Sequence, residues 1–217
     1  MRVFILMFFV CFLFVCNSNN QSSLTNGEKN MTSGYLPYFN TPELTPDWEI
    51  KTHLVPPFSF KNQNGKIITN DDYKGKIQIA DFFFTTCPGI CPKLTKNMYN
   101  IQQYYKSDSI IKLVSFSVMP WIDKVDQLKN YSIANNVDSY KWNLLTGDKE
   151  KVYSIARNGY FADENYFKNQ NKSDFIHTEN FILVDPEGYI RGIYNGTIEF
   201  DIERLKRHIS ILKKEFD

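Results

Sequence analysis

The run Ile77–Phe84, Ile-Gln-Ile-Ala-Asp-Phe-Phe-Phe, constrains the fold more than any other segment. Only Gln78 and Asp81 interrupt it, and it lacks the alternation of a strand wetted on one side. It therefore predicts a strand covered on both faces, which in turn demands helices above and below a sheet. Phe82, Phe83 and Phe84 read as core rather than as a face for a cofactor. Asp81 is out of place in such a strand, and either faces a sheet edge or makes a buried hydrogen bond.

The surrounding pattern completes an α/β reading. Phe58–Ile68 alternates around Asn64-Gly65, the signal for a tight hairpin. A helix is predicted after Pro92, with Met98, Ile101 and Tyr105 at helical spacing. A buried strand follows over Ile110–Val118, then a helix over Val125–Asn135, a short strand over Lys141–Leu145 and a helix over Lys149–Arg157. Asn180–Val184 and Tyr189–Tyr194 flank the turn signal Asp185-Pro186-Glu187-Gly188, and an amphipathic helix over Phe200–Phe216 closes the chain. This order predicts a central mixed sheet flanked by helices, with an N-terminal hairpin addition.

Before the domain the chain changes character. Arg2 is followed by an apolar run from Val3 to Val15 and then by the polar stretch Asn17–Ser23, which reads as an export signal. The run is shorter than the ~17–25 residues of a spanning helix. Cys16 closes it as the lipidated cysteine closes a lipoprotein signal, although Val15 stands where a small residue is usual. Cys11, inside the run, is a small hydrophobe there. The expected organisation is a signal over residues 1–16, a tether over 17–47 rich in Asn, Ser, Thr, Gly and Pro, and a folded domain over 48–217. Whether Tyr35–Phe39 packs on the domain is open at this level. The expected location is exported and membrane-anchored, with the domain on the extracytoplasmic, periplasmic side. With 25 Lys and Arg against 24 Asp and Glu, the formal net charge is +1, too small a field for a nucleic-acid partner.

The chemistry concentrates in Cys87-Pro88-Gly89-Ile90-Cys91-Pro92, where the buried strand hands over to a helix. Unpaired N–H groups at a helix N-terminus favour a thiolate, and thiolates rather than thiols bind soft metals or attack disulfides. Once Cys11 and Cys16 are set apart, Cys87 and Cys91 have only each other, and an exported pair can be oxidised, reduced or metal-bound. A purely structural disulfide is the weaker reading, because so short a loop contributes little chain entropy. His177, just before a predicted strand, adds an imidazole; two soft sulfurs and one imidazole are a copper-like donor set. His53 and His208 have no partner motif and read as packing or surface residues.

Phe83-Phe84-Thr85-Thr86-Cys87-Pro88-Gly89-Ile90-Cys91-Pro92, Leu145-Thr146-Gly147-Asp148, His177-Thr178 and Leu183-Val184-Asp185-Pro186-Glu187-Gly188 together resemble the Sco/SenC copper proteins, which are thioredoxin-like in fold. The resemblance runs from about His53 to the C-terminus. It implies that Cys87, Cys91 and His177 hold Cu(I) or Cu(II), and that the chain assists copper-site assembly in cytochrome c oxidase, its partner being an oxidase subunit or another copper-receiving protein. One departure stands out: the family's usual Ser-Val-Asp-Pro is Ser117-Val118-Met119-Pro120 here, followed by Trp121-Ile122-Asp123-Lys124. An acidic residue is missing, and Met119 is either a soft thioether near the metal or packing. The competing function is a membrane-tethered thiol–disulfide oxidoreductase that uses Cys87 and Cys91 as a redox-active disulfide, is served by a thioredoxin-like reductant and acts on cysteines of an exported partner. A peroxidase is disfavoured, since no arginine stands near Cys87 in the sequence.

Overall fold

The computed structural model describes residues 34–163 and 178–217. Nine strands and four α-helices follow one another among these residues. β1 (Tyr38–Phe39) and β2 (Pro46–Asp47) form a small antiparallel pair. β3 (Ser59–Asn62), β4 (Ile67–Thr69), β5 (Ile77–Phe83), β6 (Ile111–Ser117), β7 (Trp142–Thr146), β8 (Asn180–Val184) and β9 (Ile190–Asn195) make one sheet in the order β4-β3-β7-β6-β5-β8-β9. β5, β6 and β7 run parallel; β3 pairs antiparallel with β7, and β8 with β5. The sheet is therefore mixed, and the hairpin β3–β4 extends one edge of it. The helices are α1 (Cys91–Tyr104), α2 (Val125–Ala134), α3 (Lys149–Ser154) and α4 (Glu199–Phe216). Among the described residues no helix is long and apolar enough to cross a membrane.

β5 is buried at all seven positions, as its unbroken apolar run requires. Its side chains alternate between two cores. Ile77, Ile79 and Phe83 join Leu94, Met98 and Ile101 of α1 and Ile202, Leu205, Ile209 and Leu212 of α4. Ala80 and Phe82 join Val114 and Phe116 of β6 and Val152 and Tyr153 of α3. The rings of Phe82 and Phe116 stack at 5.2 Å, so the aromatic run is core.

Turn chemistry sets the strand registers. Gly65 takes φ +75° at the β3–β4 turn, where Asn62 Oδ1 accepts the N–H groups of Asn64 and Lys66. Asp185 does the same between β8 and β9, accepting from Glu187 and Tyr189 while Gly188 holds φ +97°. The predicted helix over Lys149–Arg157 ends earlier than expected. Asp148 caps it by accepting the Lys151 N–H, but α3 gives way after Ser154 to a π turn, Ile155–Gly159. The wider turn carries Tyr160 into the core, where its ring meets Phe82 at 5.7 Å and its hydroxyl donates to Gln78 at 3.2 Å.

Composition assigns residues 17–47 to a tether, yet the stretch from Leu36 onward packs on the folded body. The cause is Arg191 in β9, only 2% exposed. Its guanidinium reaches Asp185 at 3.1 Å and Glu215 of α4 at 2.7 Å, donates to the Leu36 and Pro37 carbonyls, and lies over the Tyr38 ring. Glu215 in turn accepts the Leu36 N–H at 2.8 Å. One buried cation thus ties the entering chain, the β8–β9 turn and the last helix together. Arg191→Leu strands two buried carboxylates, and a loss of about 3–5 kcal/mol is expected on urea denaturation; a loss below about 1 kcal/mol would mean that the cluster is not a keystone.

Candidate functional site

Three chain ends meet at the C-terminal edge of β5. The Phe83 carbonyl accepts the Val118 N–H at 2.9 Å, which joins the exits of β5 and β6. The antiparallel pairing of Ala80 with Ile182 brings the start of β8 to the same end. From Phe84 the chain turns, with the Cys87 N–H donating to the Phe84 carbonyl at 3.3 Å, and passes through the exposed Thr86, Pro88 and Gly89 into α1 at Cys91. Pro92 sits in the first turn of α1, where no N–H is needed.

Cys87 and Cys91 are free thiols in contact with each other, 8% and 4% exposed, so the pair lies just below the surface. Their environments differ in acidity. Burial pushes the Cys87 thiol up, but its sulfur accepts from the Cys91 thiol and from the N–H groups of Cys91, Gly89 and Ile90, and these hold it below the ordinary value. Burial, together with donation to Cys87, pushes Cys91 up to about 12; a single N–H, from Phe84, opposes this. Cys87 is thus the sulfur that ionises first, and Cys91 the one that holds its proton. Two thiols in contact can close on a soft cation or, when oxidised, on each other.

Beneath them lies Asp81, on the face of β5 that α1 covers. β5 has neighbours on both sides, so of the two readings of Asp81 the buried hydrogen bond holds and the sheet edge does not. Ser115, its register partner on β6, donates to it while accepting the Trp142 indole N–H at 2.8 Å. Oδ1 has no partner, and burial pushes the carboxyl up to about 7.

Other candidates separate from the cysteines. His53 bonds the Gly159 carbonyl at 2.9 Å, and His208 lies against Tyr194; both pack. Met119 shapes the loop after β6: its N–H donates to Ser117 Oγ, and its carbonyl accepts from Ile122 and Asp123. Trp121 and Ile122 point outward, whereas Asp123 turns in and is fully buried. There its carboxyl accepts the Thr85 N–H at 3.1 Å, the Thr85 hydroxyl at 2.6 Å and the Ser117 hydroxyl at 2.5 Å. Sequence reasoning missed this residue, and the available signal was an acidic group directly after the apolar run Met119-Pro120-Trp121-Ile122. His177, like Cys16, lies outside the described residues; Thr178, next to His177 in sequence, is buried at the approach to β8. Among the described residues no group of three or more His, Cys, Asp or Glu is placed to hold a metal, so Cys87 and Cys91 make a two-donor set.

The SCO1/SenC family model matches residues 47–212. The chain belongs to the SCO1/SenC family. Its fold is similar to a SCO1/SenC family lipoprotein from Bacillus anthracis, with a TM-score of 0.64 at 31% identity, covering 76% of this chain and 98% of that one. It is similar also to BsSco, a member of the Sco family of cytochrome c oxidase assembly proteins in which a disulfide switch was identified (TM-score 0.61, 30% identity, 74% and 93% covered). Arabidopsis thaliana ScoI, solved with copper bound, gives a TM-score of 0.55 at 27% identity over 74% of this chain and 97% of its own. Membership in this family is carried by the sheet, the helices and the cysteine loop alike, and the thioredoxin-like α/β expectation holds.

Two outcomes follow from the acidities. Iodoacetamide at pH 7 should label Cys87 at least about tenfold faster than Cys91, read by peptide mass spectrometry, because the thiolate is the nucleophile; equal rates would remove the asymmetry. Asp81 ionises near 3.9 when unfolded and near 7 when folded, so between these values the folded chain holds a proton that the unfolded chain has lost. Stability should fall as pH rises across that window, by at most ~4 kcal/mol at ~1.4 kcal/mol per pH unit. Asp81→Asn should flatten the fall between about pH 4 and 7; an unchanged profile would assign the pH dependence elsewhere.

Proposed function

We propose that this chain is a copper carrier that uses Cys87 and Cys91 as thiolate ligands and His177 as a third donor, and that supplies copper to a cytochrome c oxidase subunit or another copper-receiving protein. The observation that carries the reading is the pair of contacting thiols at the start of α1, in a family with a copper-bound member. Soft thiolates select Cu(I), and an imidazole nitrogen extends tolerance to Cu(II). Loading replaces the thiol protons with the metal: the N–H groups that favour the Cys87 thiolate remain in place, and the Cys91 proton is among those released. Export and attachment through Cys16, with the domain on the extracytoplasmic side, fit the apolar leader and the lipoprotein relative.

The same pair supports a second reading. Cys87, the more acidic thiol, attacks a disulfide in an exported partner and forms a mixed disulfide; Cys91 then attacks Cys87 and releases the partner reduced, leaving Cys87–Cys91 oxidised by the two electrons transferred. A thioredoxin-like protein would restore the dithiol. The unequal thiols and the disulfide switch of BsSco favour keeping this reading beside the first.

An anaerobic Cu(I) competition titration of the reduced protein separates them. Carriage predicts one-to-one binding that is abolished in the Cys87→Ser/Cys91→Ser double variant and weakened in His177→Ala. Because at least the Cys91 proton leaves, the apparent Kd should fall about tenfold or more per pH unit from pH 6 to 8. Binding indifferent to His177 and to pH, with disulfide reduction intact in His177→Ala, would decide for the oxidoreductase.

A further inference from the structure

Asp123 is 0% exposed, and among the described residues no lysine or arginine pairs with it. Burying a carboxyl without a cation is costly unless hydrogen bonds replace water. Here they do, and all three side-chain bonds come from the two strand exits: the Thr85 N–H and hydroxyl from the segment between β5 and Cys87, and the Ser117 hydroxyl from the end of β6. The two hydroxyl bonds, at 2.6 and 2.5 Å, are the shortest of the three. Gln127 of α2 supplies the orientation. Its side-chain amide donates to Thr85 Oγ1 at 3.0 Å, which leaves the Thr85 hydroxyl hydrogen for Asp123. The Asp123 N–H to the Met119 carbonyl closes the loop from the other side.

Thr85 is the first central residue of the turn closed by the Cys87 N–H and the Phe84 carbonyl, so fixing Thr85 fixes how the chain enters Cys87. A fold that needed only to join β5 and β6 already has the Val118–Phe83 backbone bond; the carboxyl grips the cysteine loop instead. We propose that Asp123, acting through Thr85 and steadied by Gln127, is the positioning residue of the Cys87–Cys91 pair and holds the two sulfurs at the separation their chemistry requires. The inference rests on the reading of this pair as the reacting site, whether for copper or for disulfide exchange.

The test uses Thr85→Val, Thr85→Ser and Asp123→Asn in the full chain, with three readouts: thermal midpoint, Cu(I) affinity by competition, and the reduction potential of the metal-free pair in glutathione buffers. Thr85→Val and Asp123→Asn are expected to weaken Cu(I) binding about tenfold. They are also expected to disfavour the disulfide about tenfold, a rise of ~30 mV for a two-electron couple. Thr85→Ser, which keeps the hydroxyl, should match the parent in both. A midpoint shift alone, with affinity and potential at parental values in Thr85→Val, would make the cluster merely structural and overturn the proposal. So would Thr85→Ser being as impaired as Thr85→Val. If Asp123→Asn does not fold, the partly exposed Thr85 pair decides. If the parent itself fails to bind Cu(I) tightly, copper carriage fails, while the potentials still accept or reject the positioning role.

Discussion

The double burial of β5 controls everything built at its end, because a strand hydrogen-bonded on both edges and covered on both faces leaves the residue after it no freedom of direction. β5 is paired to β8 as far as Ala80 and to β6 as far as Phe83, and it is buried through Phe83. The cysteine loop therefore starts from a fixed point, the exit of β6 is bonded beside it, and antiparallel β8 begins at the same end of the sheet. A site on a loop is accurate only when the loop is anchored in a rigid element, and here the cysteine loop and the β6 exit bonded to it both leave strand ends. The Arg191 cluster plays the matching part at the far edge, where it fastens the entering chain and the last helix to β9.

Two buried aspartates near the cysteines show how environment, rather than burial alone, decides what a carboxyl does. Asp81 has a hydrogen bond from Ser115 and an oxygen with no partner, so burial dominates and its proton is held to about pH 7. Asp123 has both oxygens occupied by donors and spends them on the loop that carries Cys87. The first places beneath the site a carboxyl that keeps its proton to about pH 7; the second turns a buried carboxyl into geometry.

Much of this was legible because the signals were local. An unbroken apolar run specifies a central strand, Asn64-Gly65 and Asp185-Pro186-Glu187-Gly188 specify turns, and two cysteines at a strand exit specify reactive sulfur. What escaped depends on distant partners. Leu36 packs because Arg191, far along the chain, needs its carbonyl. The helix beginning at Lys149 opens into a π turn because Tyr160 must reach Gln78. The loop after β6 looked like a lost acidic residue with an altered surface, since Met119 stands where an aspartate is usual; the fold shows a different carboxyl, Asp123, turned inward onto Thr85 while Trp121 and Ile122 face solvent. No periodicity encodes that inversion, because it depends on where two strand exits meet. The unequal acidity of Cys87 and Cys91 is of the same kind, set by which N–H groups the folded loop aims at each sulfur.

The two proposed activities compete for the same atoms, and this competition organises them into a sequence. Copper carriage needs both sulfurs as thiolates, whereas a closed disulfide leaves neither as a ligand. Under the carrier reading, reduction of the pair must precede loading, and a thioredoxin-like reductant becomes a condition for copper uptake rather than a rival explanation. The asymmetry of the thiols suits that order. The more acidic thiol at Cys87 lets either a partner sulfur or a soft cation engage there first, and the proton held more tightly on Cys91 delays the second bond until the first is made. A site with two equally acidic thiols would lack that delay and would close on whichever oxidant or metal arrived; with one proton retained, release of that proton is the step at which the pair commits.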